Sequence, residues 1–298
     1  MALPKANLHL HLTGAMRPST LASLALRAGI PVPAPLPAGV HGWEVFQDRY
    51  DAARRVLRTA DDLSRVATEA IEDDEADGGV WTEIQVDPTS YAPLLGSPEA
   101  VVEALLPAFQ GRGGLILASS WAASPSVAES TARLAVRYAD QGVVGFGLSN
   151  DERRGTVADF GPACRLAAKA GLLVTPHAGF YTGAWHVREC VLLLGARRIG
   201  HGLSAAADPS TMELLASRGV TLEVCPTSYP PLGVCSLADL PLRALLAAGV
   251  PVALGTDDPL LFRAGLATQY DLVREHLSLT DEELSQLARH SLTASAAH

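Results

Sequence analysis

Eight short runs of strand-forming residues recur along the chain, and a helix-forming segment follows each of them. Several runs are almost continuously apolar, as at residues 172–174, which is typical of parallel strands that are buried on both faces. This strict alternation favours an α/β fold of the (β/α)₈ TIM-barrel type over an open doubly wound sheet. The predicted strands are residues 6–12, 80–87, 114–120, 143–150, 172–179, 197–202, 221–228 and 251–258.

Helix-start signals fall between these predicted strands. Ser97 and Asp208 each precede a proline, so each can cap a helix whose first residue is that proline. Thr280 and Glu283 have the spacing of a capping box. Parallel barrels of about 250 residues form one domain. We therefore expect residues 1–298 to form a single domain.

The longest gap between predicted strands separates the first strand from the second. Residues 31–37 contain four prolines, and Trp43, Phe46 and Tyr50 follow them. A long excursion at the catalytic end of a barrel can cover the active site, so residues 31–55 are a possible lid. A surface connector is the alternative, and the sequence does not choose between them.

Composition limits the class of protein and the kinds of partner. The chain is 48% hydrophobic, and its formal net charge of −9 argues against nucleic-acid and anionic-membrane partners. Four scattered cysteines indicate reduced thiols, and no apolar run approaches the about 20 residues that a membrane span needs. We expect a cytoplasmic protein that acts on a small molecule. The sequence gives no indication of its oligomeric state.

The clearest local motif is the pair His9 and His11 in the first predicted strand. Side chains alternate across a strand, so these two imidazoles point the same way and can form half of a metal site. The motif alone is weak, because histidines at this spacing also occur in ordinary cores and surfaces.

Further polar side chains stand at the ends of other predicted strands. His177 and His201 end the fifth and sixth strands, and Asp257 and Asp258 end the eighth. In a closed parallel barrel these strand ends meet at one rim, where such enzymes carry their active sites. Three neutral imidazoles and one carboxylate suit Zn²⁺ or Fe²⁺ and leave a coordination position open for water.

With these motifs in order, the chain resembles the adenosine and AMP deaminase family of the amidohydrolase superfamily. The motifs are residues 8–14, 177–179, 199–202, 223–228 and 256–259. The resemblance implies that one divalent metal ion, usually zinc, is bound by His9, His11, His177 and Asp257. It also implies that His201 and Asp258 orient and deprotonate the attacking water.

A second metal ion is not expected. Some members of the superfamily bridge two metals through a carboxylated lysine at a strand end. The two lysines of this chain are Lys5, before the first predicted strand, and Lys169, in the helix before the fifth. Neither position is at the catalytic rim, so we predict a mononuclear site.

The chain departs from the family pattern at positions that bind or protonate the substrate. Phe180 stands where the family has a glutamate that protonates the purine ring, and phenylalanine has no proton to give. Thr13 replaces the acidic residue that contacts ribose, and Asn150 replaces a glycine beside the purine. Gln85 replaces an arginine, which we expect to alter a structural ion pair rather than the chemistry.

An intact ligand set with a changed pocket favours a changed substrate. We therefore predict a metal-dependent hydrolase or deaminase that acts on a C–N bond of a purine-like or other N-heterocyclic molecule, and not on adenosine. One alternative is an adenosine or adenine deaminase with a relocated general acid, for which Glu152 and Glu189 are candidates. The other alternative is a non-catalytic relative that keeps the metal as a structural element.

Overall fold

The computed structural model describes residues 3–297, in which eight parallel strands form one sheet in sequence order. The strands are β1 (Lys5–Asn7), β2 (Gly79–Val86), β3 (Gly113–Ser120), β4 (Val143–Ser149), β5 (Leu173–Ala178), β6 (Arg198–His201), β7 (Thr221–Val224) and β8 (Val252–Leu254). The sheet closes on itself beyond β1 and β8, where Leu10 and Asp257 form a parallel bridge. The predicted TIM barrel is confirmed.

Helices pack around the outside of this barrel. Within residues 3–297 they are α1 (Pro18–Ala28), α2 (Trp43–Arg54), α3 (Ala60–Ala76), α4 (Ala92–Leu95), α5 (Pro98–Phe109), α6 (Pro125–Arg137), α7 (Gly161–Lys169), α8 (Ala184–Leu193), α9 (Pro209–Arg218), α10 (Leu242–Ala247), α11 (Pro259–Phe262), α12 (Leu266–Leu277) and α13 (Asp281–Ala294). The predicted caps Ser97 and Asp208 and the capping box of Thr280 and Glu283 are all formed. In the described chain, 3–297, no helix has the length and apolar character needed to cross a membrane.

Three predicted strands were too long at their carboxyl ends. The regular part of β1 ends at Asn7, after which Leu10 and His11 form only isolated bridges, to Asp257 and Gln85. The strands β7 and β8 end at Val224 and Leu254. Apolar or alternating sequence alone does not reveal where a strand leaves the hydrogen-bonded ladder.

The insertion between β1 and β2 contains α1, α2 and α3, and α2 lies over the open end of the barrel. The Phe46 ring of α2 stacks on the Phe262 ring at a centroid distance of 5.7 Å and an interplanar angle of 2°. Trp43 meets Tyr181 edge-on at 6.4 Å. Residues 31–55 therefore include a helix that covers the cavity. Whether this helix opens as a lid stays a prediction.

Candidate metal centre and active site

Three imidazole rings meet at the carboxyl end of the barrel. His9 and His11 follow β1, and His177 lies in β5. The His9 ring centroid is 4.6 Å from that of His177 and 5.2 Å from that of His11, and ligand nitrogens of the three lie within 4.8 Å of one another. Among the described residues, Nε2 of His9 and Nε2 of His177 are buried without a hydrogen-bond partner. Buried donor atoms gathered in this way fit a divalent cation.

Asp257 completes this cluster from the end of β8. Its Oδ1 atom lies 3.4 Å from Nε2 of His11 and 3.6 Å from Nε2 of His9. Its φ of 58° is in the left-handed region, which is uncommon for residues other than glycine and often marks functional sites. The four side chains that the family resemblance names as ligands thus lie together.

Burial and nearby carboxylates set the protonation of these imidazoles. Burial lowers the pKa of His11 to about 4 and that of His177 well below its usual value, so both rings are neutral, the form that binds metal ions. Burial also acts to lower the pKa of His9, but Asp257 and Glu223 outweigh it and raise the pKa to about 10. A divalent cation would take the place of that proton between the same carboxylates.

A buried chain of charges holds His9 in position. Nδ1 of His9 donates to Oε2 of Glu223 at 2.8 Å, and Oε1 of Glu223 lies 2.7 Å from Nε of Arg198. Arg198 also pairs with Glu83, and all three charged residues are at most 2% exposed. Carboxylates bonded to the second nitrogen of a ligand histidine fix its tautomer and orientation. Glu223 begins the motif at residues 223–228, but the motif by itself does not indicate this contact.

His201 stands beside the cluster with a neutral ring. Its ring centroid lies 4.8 Å from that of His9, and burial lowers its pKa to about 3. The Tyr229 hydroxyl accepts from the backbone N–H of Cys225 at 2.8 Å and lies 3.4 Å from Nδ1 of His201. Nδ1 of His201 thus meets this hydroxyl, and either atom can be the donor.

Asp258 is buried next to Asp257 and packs directly on Gly14. A Cβ atom at position 14 would lie 1.8 Å from Oδ1 of Asp258, so only glycine leaves room for this carboxyl. Burial and the neighbouring charge of Asp257 raise the pKa of Asp258 well above its usual range. Within residues 3–297 its Oδ1 atom has no hydrogen-bond partner. This contact explains why the first motif, residues 8–14, ends in glycine.

The cavity above the cluster contains two of the three predicted substrate-binding residues. Phe180 and Asn150 line it, and the Phe180 ring lies 4.5 Å from that of His201. Asn150 has a φ of 72°. Thr13 is fully buried, its hydroxyl is 2.6 Å from that of Tyr91, and Tyr91 lines the cavity in its place. Thr13 thus contacts the wall rather than the cavity.

Glu152 and Glu189 are the two candidate replacement acids. Among the described residues, Glu152 lines the cavity and Glu189 does not. The Oε1 atom of Glu152 accepts hydrogen bonds from the backbone N–H groups of Phe180, Tyr181 and Thr182 at 2.7 to 2.9 Å. Its Oε2 atom is buried and has no partner within residues 3–297. Burial raises the pKa of Glu152. Glu189 lies in α8, away from this wall.

The expectation that Gln85 alters a structural ion pair stays a prediction. Gln85 forms no ion pair within the described chain; instead it lines the cavity with His177 and Asp257. Its side chain is neutral and reaches toward Gly147, where a Cβ atom would lie 2.5 Å from Nε2 of Gln85. The sequence pattern placed Gln85 on β2 but could not show that its amide faces the site.

Cys225 lies close to the cluster, but its thiol is protonated, and the protonated thiol is not the form that binds metal ions. Its sulfur is within 4.8 Å of ligand atoms of His9, His201 and Asp257. Burial raises the pKa of the thiol well above its usual value, which keeps it protonated. Its Sγ contacts the backbone oxygen of Glu223 at 3.7 Å. This agrees with the interpretation of Cys225 as a core residue.

The chain is similar to known deaminases over almost its entire length. The model of the adenosine deaminase family matches residues 4–298. A Streptomyces virginiae protein, provisionally named an adenosine/adenine deaminase, is 52% identical over 99% of this chain and 92% of its own. The structure of adenine deaminase from Arthrobacter aurescens superposes with a TM-score of 0.88 at 28% identity, covering 99% and 94% of the two chains. A zinc-bound amidohydrolase from Burkhoderia ambifaria gives 0.85 at 26% identity, covering 98% and 85%.

Proposed function

The chain belongs to the adenosine deaminase family, and from this premise we propose that it hydrolyses a C–N bond of a purine-like N-heterocycle other than adenosine. Members of this family are metal-dependent aminohydrolases, and the chain is an enzyme of this class. We further propose that the metal is one zinc ion. The observation that carries the proposal is that one cavity is lined by His11, His177, His201, Asp257 and Asp258, with His9 in the same buried cluster.

The side chains around the cluster divide the proton transfers between them. A zinc ion held by His9, His11, His177 and Asp257 would supply Lewis-acid activation of the attacking water at neutral pH. Asp258 offers a carboxyl oxygen without a partner in residues 3–297, which can accept a hydrogen bond from the attacking water. We assign His201 the tautomer in which Nδ1 accepts from the Tyr229 hydroxyl, so that its Nε2 hydrogen can stabilise the developing negative charge.

Glu152 supplies the proton that the family obtains elsewhere. Its Oε1 atom is fixed by three backbone N–H groups, whereas Oε2 stays free of partners among residues 3–297 and can carry a proton. Burial raises the pKa of Glu152, which is the direction that favours a proton on this carboxyl group. The same three hydrogen bonds hold the turn that contains Phe180, so Glu152 and Phe180 are fixed relative to each other.

Phe180 argues against adenosine as the substrate. Its ring packs against those of His201, Tyr181 and Tyr229, so it is part of an aromatic wall. A phenylalanine at this point offers a stacking face and no titratable proton. A substrate whose ring requires less assistance, or that is protonated from the Glu152 side, suits this wall better.

The test is a turnover panel with zinc-loaded protein. Adenine, adenosine, other aminopurines, aminopyrimidines, pterins and cyclic amides are each assayed for ammonia release and for product mass. We expect metal-dependent turnover of at least one heterocycle at a rate well above that for adenosine. An Asp258→Asn variant is the matched control, since it retains all four ligands of the cluster and should lose turnover.

Two other outcomes separate the alternatives. Adenosine turnover at rates of about 1–10³ per second, common for enzymes, would favour an adenosine deaminase with a relocated acid. An absence of turnover across the panel, with stoichiometric zinc bound, would favour the non-catalytic relative.

A further inference from the structure

The side-chain amide of Gln85 is a buried polar group on the cavity wall. Gln85 is 6% exposed and lines the cavity beside His177 and Asp257. Its Oε1 atom has no hydrogen-bond partner anywhere in residues 3–297. Buried polar groups are nearly always paired, so an unpaired amide at a binding cavity indicates that the ligand provides the partner.

The position of this amide fixes which part of a ligand it can meet. The ligand cluster comes from the ends of β1, β5 and β8. Gln85 starts from β2 and its Nε2 atom reaches Gly147 on β4, where the missing side chain makes room for it. The amide thus lies on the side of the barrel formed by β2, β3 and β4, which carries none of the four clustered residues. A ring whose reacting carbon is at the cluster directs a different edge toward Gln85.

A primary amide presents one acceptor and two donor hydrogens side by side. It pairs best with an edge that carries an acceptor next to a donor. A free 6-aminopurine whose C6 faces the cluster has one such edge on the far side of the ring, formed by N3 and N9–H. In a nucleoside, N9 carries the sugar and has no hydrogen to donate.

We propose that Gln85 recognises the N3/N9–H edge of a free purine base, so that bases rather than nucleosides are the substrate class. The inference rests on the proposed function, because it assumes that the reacting carbon lies at the metal cluster. The cavity volume of about 100 Å³ agrees with a compact ligand, since sites for drug-sized molecules span about 300–1,000 Å³.

The experiment measures binding separately from turnover. Asp258→Asn protein, loaded with zinc, is titrated calorimetrically with adenine, 3-deazaadenine and 9-methyladenine; the second lacks the N3 acceptor and the third lacks the N9 donor. Gln85→Met is added to this background because methionine matches glutamine in length and has no amide. Ser119→Ala is the control, since Ser119 Oγ is also buried and unpaired within residues 3–297 but lies outside the cavity wall.

We expect the parent protein to bind adenine about 10- to 100-fold more tightly than either 3-deazaadenine or 9-methyladenine, and the Gln85→Met protein to bind all three within about threefold. The Ser119→Ala protein should keep the parent's discrimination. Equal binding of adenine and 3-deazaadenine by the parent would refute the proposal. Two other results would also refute it. One is a Gln85→Met protein that still binds adenine more tightly than 3-deazaadenine, and the other is a parent protein that does not bind adenine.

The binding experiment and the turnover panel can fail separately. Turnover of another heterocycle by the unmodified enzyme, without adenine binding, would retain the hydrolase and reject the role of Gln85. Discrimination between adenine and 3-deazaadenine without turnover of any compound would retain that role and reject the hydrolase.

Discussion

Replacing Glu223 with glutamine removes the negative charge that faces Nδ1 of His9 while leaving the shape of the side chain. The carboxylate accepts from this nitrogen at 2.8 Å and lies 2.7 Å from Nε of Arg198. It therefore sets both the orientation and the basicity of one predicted ligand. Loss of such a partner lowers metal affinity by about 10- to 100-fold, or about 1.4–2.7 kcal/mol.

The same substitution also disturbs a buried ion pair, and this second effect needs a control. Glu83 is the other carboxylate that pairs with Arg198, and it has no contact with His9 in the described structure. Glu83→Gln removes an equivalent buried charge. Leaving a buried charge without its partner destabilises proteins by about 3–5 kcal/mol, so both variants should unfold at lower urea concentration.

The assay is zinc competition against a chromophoric chelator, with urea unfolding of each metal-free protein measured in parallel. We expect Glu223→Gln to lose about 10- to 100-fold in zinc affinity and Glu83→Gln to stay within about threefold of the unmodified protein. Equal losses in the two variants would show that zinc affinity follows general stability. No loss in Glu223→Gln would refute the role of Glu223 in supporting His9.

Three further predictions concern Glu152, Phe180 and Asp74. Glu152→Gln should lower kcat by about 10²–10⁴-fold with little change in KM, because glutamine can still accept the backbone N–H groups but has no proton to give; unchanged kcat and pH profile would exclude the acid role. Phe180→Glu should not raise adenosine deamination, because Phe180 is packed into an aromatic wall; an increase of more than about tenfold would favour a lapsed adenosine deaminase. Burial raises the pKa of Asp74 in the folded protein to about 7, so the proton it holds stabilises the fold below about pH 4 and this contribution is lost as pH rises through about 7. Asp74→Asn should remove that decline in urea unfolding between about pH 4 and pH 8, and an unchanged decline would assign it to other groups.

The sequence determined the architecture and which polar side chains gather at one rim, because both depend on local and periodic patterns. Alternating buried strands and capped helices leave few folds other than a closed parallel barrel. A barrel brings strand ends to one rim regardless of the residues between them. Placing His9, His177 and Asp257 at the ends of different strands was therefore sufficient to predict that they meet.

The contacts of Glu223, Glu152 and Gln85, on which their proposed roles rest, were decided only by the tertiary structure. Each depends on which atom of a long side chain meets which neighbour, and spacing along a strand does not specify this. Thr13 was likewise predicted to touch substrate, but Tyr91, far away in sequence, covers it. Burial gives all these groups their energetic importance, because an unpaired charge or amide costs free energy only where water is excluded. Only the packed fold decides where water is excluded.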